Sequence, residues 1–295
     1  MGSNAGRTSA FPCFLDGVAV MQDEFGVVRG LLLLVCLLTT NISMVALTVS
    51  EDVLTKALSG REGVFVLVDA ATGDVFASDV KAASEKLAPC STFKIWNALI
   101  GLETGVVSDP DALFWKWDGK KRFLEDWNKD QSLRTAISTS CVPAFQALAR
   151  KIGAGQMQKW LDALGYGDRD ISAGIDVFWL PHPPERKTLL ISPMEQAQLL
   201  AQLIEGRLPV SARTREILSD ITTLKTASGE IFHGKTGTGV DETGAYNMGW
   251  FVGWVESSGK NLAFACLLKG HGVMGKDARS VVESVLSGSG LLPAP

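Results

Sequence analysis

Apolar residues recur along this chain in two rhythms. At 63–69 the run Gly-Val-Phe-Val-Leu-Val-Asp is almost unbroken, ends at Ala-Thr-Gly, and is answered at once by Val75 and Phe76. Short apolar runs separated by turn residues predict a hairpin that opens a sheet. Pro89 and Ser91 then precede Phe93, Ile95, Trp96, Leu99, Ile100 and Leu102, which recur at helical spacing until Gly105. That pattern predicts a buried helix with Ser91 at its start. Similar spacing predicts helices over 133–152 and 157–164, and Ser192-Pro193 with Glu195 opens another that runs to Ile204. Segments 231–235, 249–255 and 262–268 are strand-like, with a Ser-Ser-Gly-Lys turn at 257–260, and 277–286 predicts a closing helix. Strands at both ends with helices between predict an α/β chain of the α+β type. Its antiparallel sheet would be built from both chain ends and flanked by helices, with a mostly helical insertion at roughly 105–225. There is no internal repeat.

The first fifty residues break this pattern. Leu31 to Leu38 are near-continuously apolar, Arg29 precedes them, and Thr39, Thr40 and Asn41 interrupt the run. A membrane-spanning helix needs about 20 apolar residues, so this stretch predicts a secretory leader over 1–50, with Met21 as an alternative start. The catalytic domain would then be 51–295, with no stable membrane contact once the leader is cleaved. Cysteines stand at 13, 36, 90, 141 and 266. Removing the leader leaves Cys90, Cys141 and Cys266, an odd set that predicts small apolar core residues and no disulfide framework.

Composition narrows the chemistry. The net charge is −4 and no basic stretch suggests a nucleic-acid partner. The three histidines, His182, His233 and His271, are scattered, and no C-x-x-C or H-x-x-x-H spacing occurs, so no metal is expected. Nucleophilic catalysis remains. It needs a hydroxyl, a base for its proton and donors for the oxyanion. Ser-x-x-Lys at a helix start puts hydroxyl and amine on one face, beside unpaired N–H groups. The chain holds three copies of it: Ser78/Lys81, Ser91/Lys94 and Ser257/Lys260. Ser78 falls in a polar stretch and Ser257 in a turn. Only Ser91 opens an apolar helix, and only Lys94 is flanked by Phe93, Ile95 and Trp96. Two further motifs follow. Ser140-Cys-Val142 lies in a helical stretch interrupted by Pro143, where Ser140 is either an ordinary polar residue or a proton relay. Lys235-Thr236-Gly237, continued by Thr238, is either a strand-ending turn or an edge strand that binds a carboxylate and pairs with an amide.

Ser-x-x-Lys, a central serine and Lys-Thr-Gly, in that order, resemble the signature of β-lactamases and penicillin-binding proteins. The central Ser-x-Val resembles that of class D β-lactamases, the oxacillinase type. Pro-Cys-Ser-Thr-Phe-Lys-Ile at 89–95, Trp-Asp-Gly at 117–119, Leu-Arg-Thr-Ala-Ile at 133–137, Gly-Ile-Asp-Val-Phe-Trp-Leu at 174–180, Ile-Ser-Pro-Met-Glu-Gln at 191–196 and Trp254-Val255 resemble the family too. Tyr166-Gly-Asp168 is similar to its Tyr-Gly-Asn, with Asp for Asn. The resemblance covers roughly 62–290. It implies a bacterial, periplasmic or secreted enzyme that opens β-lactam rings through an acyl-enzyme on Ser91. It implies that Lys94 reacts with CO2 to become N6-carboxylysine, hydrogen-bonded by Trp179; no cofactor beyond CO2 or bicarbonate is implied. Burial beside Phe93, Val142, Trp179 and Leu180 would favour the neutral amine that attacks CO2. The resemblance also implies an oxyanion hole from the N–H groups of Ser91 and Thr238. Substrate contacts would come from Val142, Thr236, Gly237 and Thr238, and Arg279 would bind a carboxylate. The connection at 181–188 is longer than the family's usual one. A penicillin-binding peptidase or a β-lactam sensor would share the motifs but deacylate slowly. Either a monomer or a homodimer is compatible with the sequence.

Overall fold

The run at 63–69 forms strand β1 (Glu62–Asp69), with Val64, Val66 and Val68 on one face and Phe65 and Leu67 on the other. Because side chains alternate along a strand, an unbroken apolar run implies cover on both faces. That is what the computed structural model shows. It describes residues 47–181 and 187–292, so most of the expected leader and the centre of the 181–188 connection lie outside the described residues.

Before β1 stands helix α1 (Glu51–Leu58), and after it come β2 (Val75–Ala77) and the short α2 (Val80–Ala83). A 3-10 turn over Cys90–Phe93 leads into α3 (Lys94–Glu103). Then follow β3 (Leu113–Trp115), β4 (Gln131–Ser132), α4 (Leu133–Ser138), α5 (Val142–Ile152), α6 (Ala154–Leu164), α7 (Pro193–Ile204) and α8 (Ala212–Ile221). The chain closes with β5 (Thr223–Lys225), β6 (Ile231–Val240), β7 (Tyr246–Ser257), β8 (Lys260–Lys269) and α9 (Gly275–Gly288). The main sheet has the order β2-β1-β8-β7-β6-β5, antiparallel throughout. Strands from both ends of the described chain therefore meet at β1 and β8.

Two apolar cores flank the sheet. One joins Phe65, Phe232, Phe251, Phe264 and Leu268 to α9, through Val281, Val282 and Val285. The other joins Val66, Trp250, Val252 and Ala265 to α3 and α5, among others. Residues 94–102 of α3 are all buried, as expected of a helix packed on every side. α7 lies within the expected helical insertion but packs directly on β1 and β8.

One expected helix divides. The stretch 133–152 is two helices, with the chain breaking at Ser140, whose φ is +54°. Pro143 does not interrupt a helix. It sits in the first turn of α5, where its missing N–H costs nothing. The Lys-Thr-Gly segment likewise does not end a strand, because β6 runs through it to Val240. Among the described residues, no helix is long and apolar enough to cross a membrane.

Candidate active site

The three Ser-x-x-Lys pairs have different fates. Ser78 Oγ accepts a hydrogen bond from the Phe65 N–H at 3.0 Å, and Lys81 is exposed. Lys260 reaches across to the Asp69 carboxylate at 3.1 Å. Only Lys94 points its amine at its serine: Nζ lies 2.8 Å from Ser91 Oγ. It also lies 2.8 Å from the Ser140 carbonyl oxygen and 2.9 Å from Ser140 Oγ. The turn that displaces Ser140 from a helix is thus what brings both its oxygens to Lys94. Cys90, just before Ser91, is also left-handed, at φ +51°. Such φ values are unfavourable for non-glycine residues and cluster where a side chain must be aimed.

Lys94 is fully buried, and burial drives its pKa well below the usual lysine value, with Lys235 adding like-charge repulsion. A neutral amine can donate to the Ser140 carbonyl and still accept a hydroxyl proton. Phe145 closes the far side, its ring centroid 5.7 Å from Nζ. Lys235 is also buried, and desolvation brings its pKa down to about 8.

β6 brings its motif to the same place. Side chains alternate, so Lys235, Gly237 and Gly239 share one face. On that face a Cβ at Gly237 would stand 3.0 Å from the Pro89 carbonyl oxygen and 3.1 Å from Thr92. The missing side chain lets the strand press against the turn that carries Ser91. On the other face, Thr238 Oγ1 accepts from the Gly275 N–H at 3.0 Å, fixing β6 to the start of α9. β5 pairs with β6 only through Ile231–His233, which leaves Lys235 and the residues after it off that ladder. A cavity of about 150 Å³ there is lined by Ser138, Lys235, Thr236 and Arg279, among others. Arg279 is therefore beside the Lys-Thr-Gly motif, but it is already engaged: Nε donates to Glu283 Oε1 at 2.7 Å and Nη2 to the Lys225 carbonyl at 2.9 Å.

Trp179 is buried and stacks on Phe93, the neighbour of Lys94, with ring centroids 5.6 Å apart. Its Nε1 has no hydrogen-bond partner. A buried indole N–H without an acceptor is costly, and it marks a place where an acceptor belongs. Val142, half-buried, begins α5 directly after Cys141. Cys90, Cys141 and Cys266 are buried and free. Among the described residues no cluster of His, Cys, Asp or Glu could hold a metal.

Sequence reading missed the support behind Ser91. Gln196 Nε2 donates to Thr92 Oγ1 at 3.2 Å, and the buried Tyr166 hydroxyl reaches Gln196 Oε1 at 3.5 Å. The signal was a glutamine on the apolar face of α7. Missed too was the Trp127 indole, which donates to the Thr139 carbonyl at 3.0 Å and steadies the turn before Ser140. Asp168 takes the Leu190 N–H at 3.0 Å and the Asp170 N–H at 3.2 Å, so the carboxylate serves as an acceptor tying two loops.

An antiparallel sheet with a half-buried serine against a fully buried lysine at the start of α3, faced by Lys-Thr-Gly on β6, defines the penicillin-recognising fold. The family described as penicillin binding protein transpeptidase domain matches residues 63–287. Within it, the chain belongs to the class D β-lactamases. It is 40% identical over 204 residues to β-lactamase OXA-10 of Pseudomonas aeruginosa, covering 69% of this chain and 74% of that one. It is 35% identical over 246 residues to the probable β-lactamase YbxI of Bacillus subtilis, covering 83% and 88%. The crystal structure of the class D β-lactamase FUS-1 (OXA-85) from Fusobacterium nucleatum subsp. polymorphum superposes with a TM-score of 0.73 at 36% identity, covering 82% of this chain and 99% of that one.

Proposed function

We propose that this enzyme hydrolyses β-lactam antibiotics through an acyl-enzyme on Ser91, with Lys94, carboxylated at Nζ, as the base in both halves of the reaction. The observation that carries this is Lys94 Nζ, fully buried yet 2.8 Å from Ser91 Oγ and 2.9 Å from Ser140 Oγ. A charged ammonium in that position could not accept a proton. Burial lowers the pKa of the amine and so favours its neutral form, the only form that can attack CO2. Bound CO2 would supply an anionic carbamate, a base that the unpartnered Trp179 N–H suits as a donor.

The chain's own groups divide the remaining work. Ser91 Oγ gives up its proton toward Lys94 and bonds to the lactam carbonyl carbon. The carbonyl electrons move to oxygen, where the N–H groups of Ser91 and Thr238 are the proposed donors. As the carbonyl reforms, the C–N bond breaks and the ring nitrogen takes a proton through the Ser140 hydroxyl, which hands on the one Ser91 released. The cationic Lys235, Thr236 and Arg279 would hold the substrate carboxylate. In the second half, the base takes a proton from water, hydroxide adds to the ester carbonyl, and Ser91 leaves with its proton restored. The same reading places the enzyme outside the cytoplasm, its leader removed.

The test mixes purified protein with a chromogenic cephalosporin, with and without added bicarbonate. Multiple turnovers that accelerate with bicarbonate are expected. One equivalent of product followed by arrest would assign a sensor or a slow penicillin-binding peptidase.

A further inference from the structure

Arg279 does not wait freely for a ligand. It is held at two of its five N–H groups, by Glu283 one helical turn later on α9 and by the Lys225 carbonyl on β5. Its guanidinium carbon lies 5.5 Å from the centroid of the Phe232 ring. Arg279 and Glu283 are about one-third exposed, at 33% and 29%. The cavity that Arg279 shares with Lys235 and Thr236 has no carboxylate among its described lining residues. Glu283 is thus the nearest anion tied to the cation that would meet a substrate carboxylate.

We propose that Glu283 is a specificity-determining residue: it fixes the Arg279 guanidinium at the mouth of the cavity and, by its own charge, weakens that cation's pull on an incoming carboxylate. The proposal rests on the β-lactam reading, in which the substrate carboxylate lies among Lys235, Thr236 and Arg279. Its physical content is a competition. Arg279 has three N–H groups left for a ligand, but one anion already sits at 2.7 Å, and it lowers the potential that a second anion feels. The enzyme would gain a positioned fork and give up affinity for anionic substrates.

Glu283→Gln separates the two effects. The amide oxygen can still accept from Nε, while the charge is gone. KM for a carboxylate-bearing β-lactam should fall about two- to fivefold, the range for a partly exposed ion pair, with kcat unchanged. KM for the same substrate with its carboxylate esterified should not move. Glu283→Asp, which keeps the charge, should stay near wild type. In an Arg279→Ala background, Glu283→Gln should have no effect, because the two residues would act as one unit. An unchanged or raised KM in Glu283→Gln, or an equal change for the ester, would overturn the proposal. So would an Arg279→Ala enzyme with unaltered KM. If the wild type acylates without turnover, the hydrolytic reading fails instead, and the same variants are then compared by their acylation rate with a fluorescent penicillin.

Discussion

Two lysines, Lys94 and Lys235, reach the same buried space by different routes, and their protons set the expected pH behaviour. Lys235 is protonated below about 8 and loses its proton above. If its charge holds the substrate carboxylate, kcat/KM should fall as pH rises through about 8, and Lys235→Arg should move that limb upward because a guanidinium stays charged. A pH profile of the two enzymes checks this. Trp179 offers a second test. Trp179→Ala removes a buried indole N–H left unpaired beside Phe93, so more bicarbonate should be needed for half-maximal activity. Lys94 stood out in the sequence because Phe93, Ile95 and Trp96 flank it, and Lys235 because Lys-Thr-Gly follows a strand-like segment. The Thr92–Gln196–Tyr166 support was not legible, because 104 residues separate Thr92 from Gln196 and no pattern links them.

Among elements, β6 is the part on which the site turns. Glycines let β6 lie close to neighbours on both faces: its own Gly237 meets the turn before α3, and Gly275 at the start of α9 closes on its other side. A Cβ at Gly275 would stand 2.6 Å from the Gly237 carbonyl oxygen and 2.9 Å from Thr236 Cβ, which are backbone and near-backbone atoms that cannot swing aside. Gly275→Ala should therefore push α9 from β6, lowering stability by about 1–3 kcal/mol, as overpacking does. It should also lower kcat/KM more than a surface substitution on α9 such as Ser280→Ala. Denaturant unfolding and steady-state kinetics read the two effects. Periodicity found α3, α7 and the long strands, each a strong apolar pattern. It misjudged 133–152 because both halves are helical and only the left-handed φ of Ser140 divides them, and Pro143 fits a helix start as well as a helix break. Short pieces such as α2 and β5 carry too few apolar positions to register.

For the whole molecule, the sheet joins both ends of the described chain, so catalytic parts far apart in sequence fold as one unit. Burying two lysines in that unit costs stability while they would be charged. Both have lowered pKa values, so between the folded and unfolded values the unfolded chain binds more protons and stability rises with pH. Cys90 acts in the opposite sense. Burial pushes its thiol from 9.0 up to about 12, so above pH 9 the unfolded chain loses protons first and stability falls. In CO2-free buffer, unfolding free energy should therefore rise with pH above about 8, with the buried thiols of Cys90, Cys141 and Cys266 opposing that rise above 9, and Lys235→Met should flatten the rise.

The central claim is that Ser91 carries the acyl group and Lys94 drives its removal. Intact-protein mass spectrometry over time, after mixing with a penicillin, tests it most directly. In the wild type, a single adduct on Ser91 should form and disappear as the substrate is consumed. In Lys94→Ala, the adduct should form slowly and persist. A wild-type adduct that persists after free penicillin is gone, or an adduct that maps elsewhere than Ser91, would contradict the account.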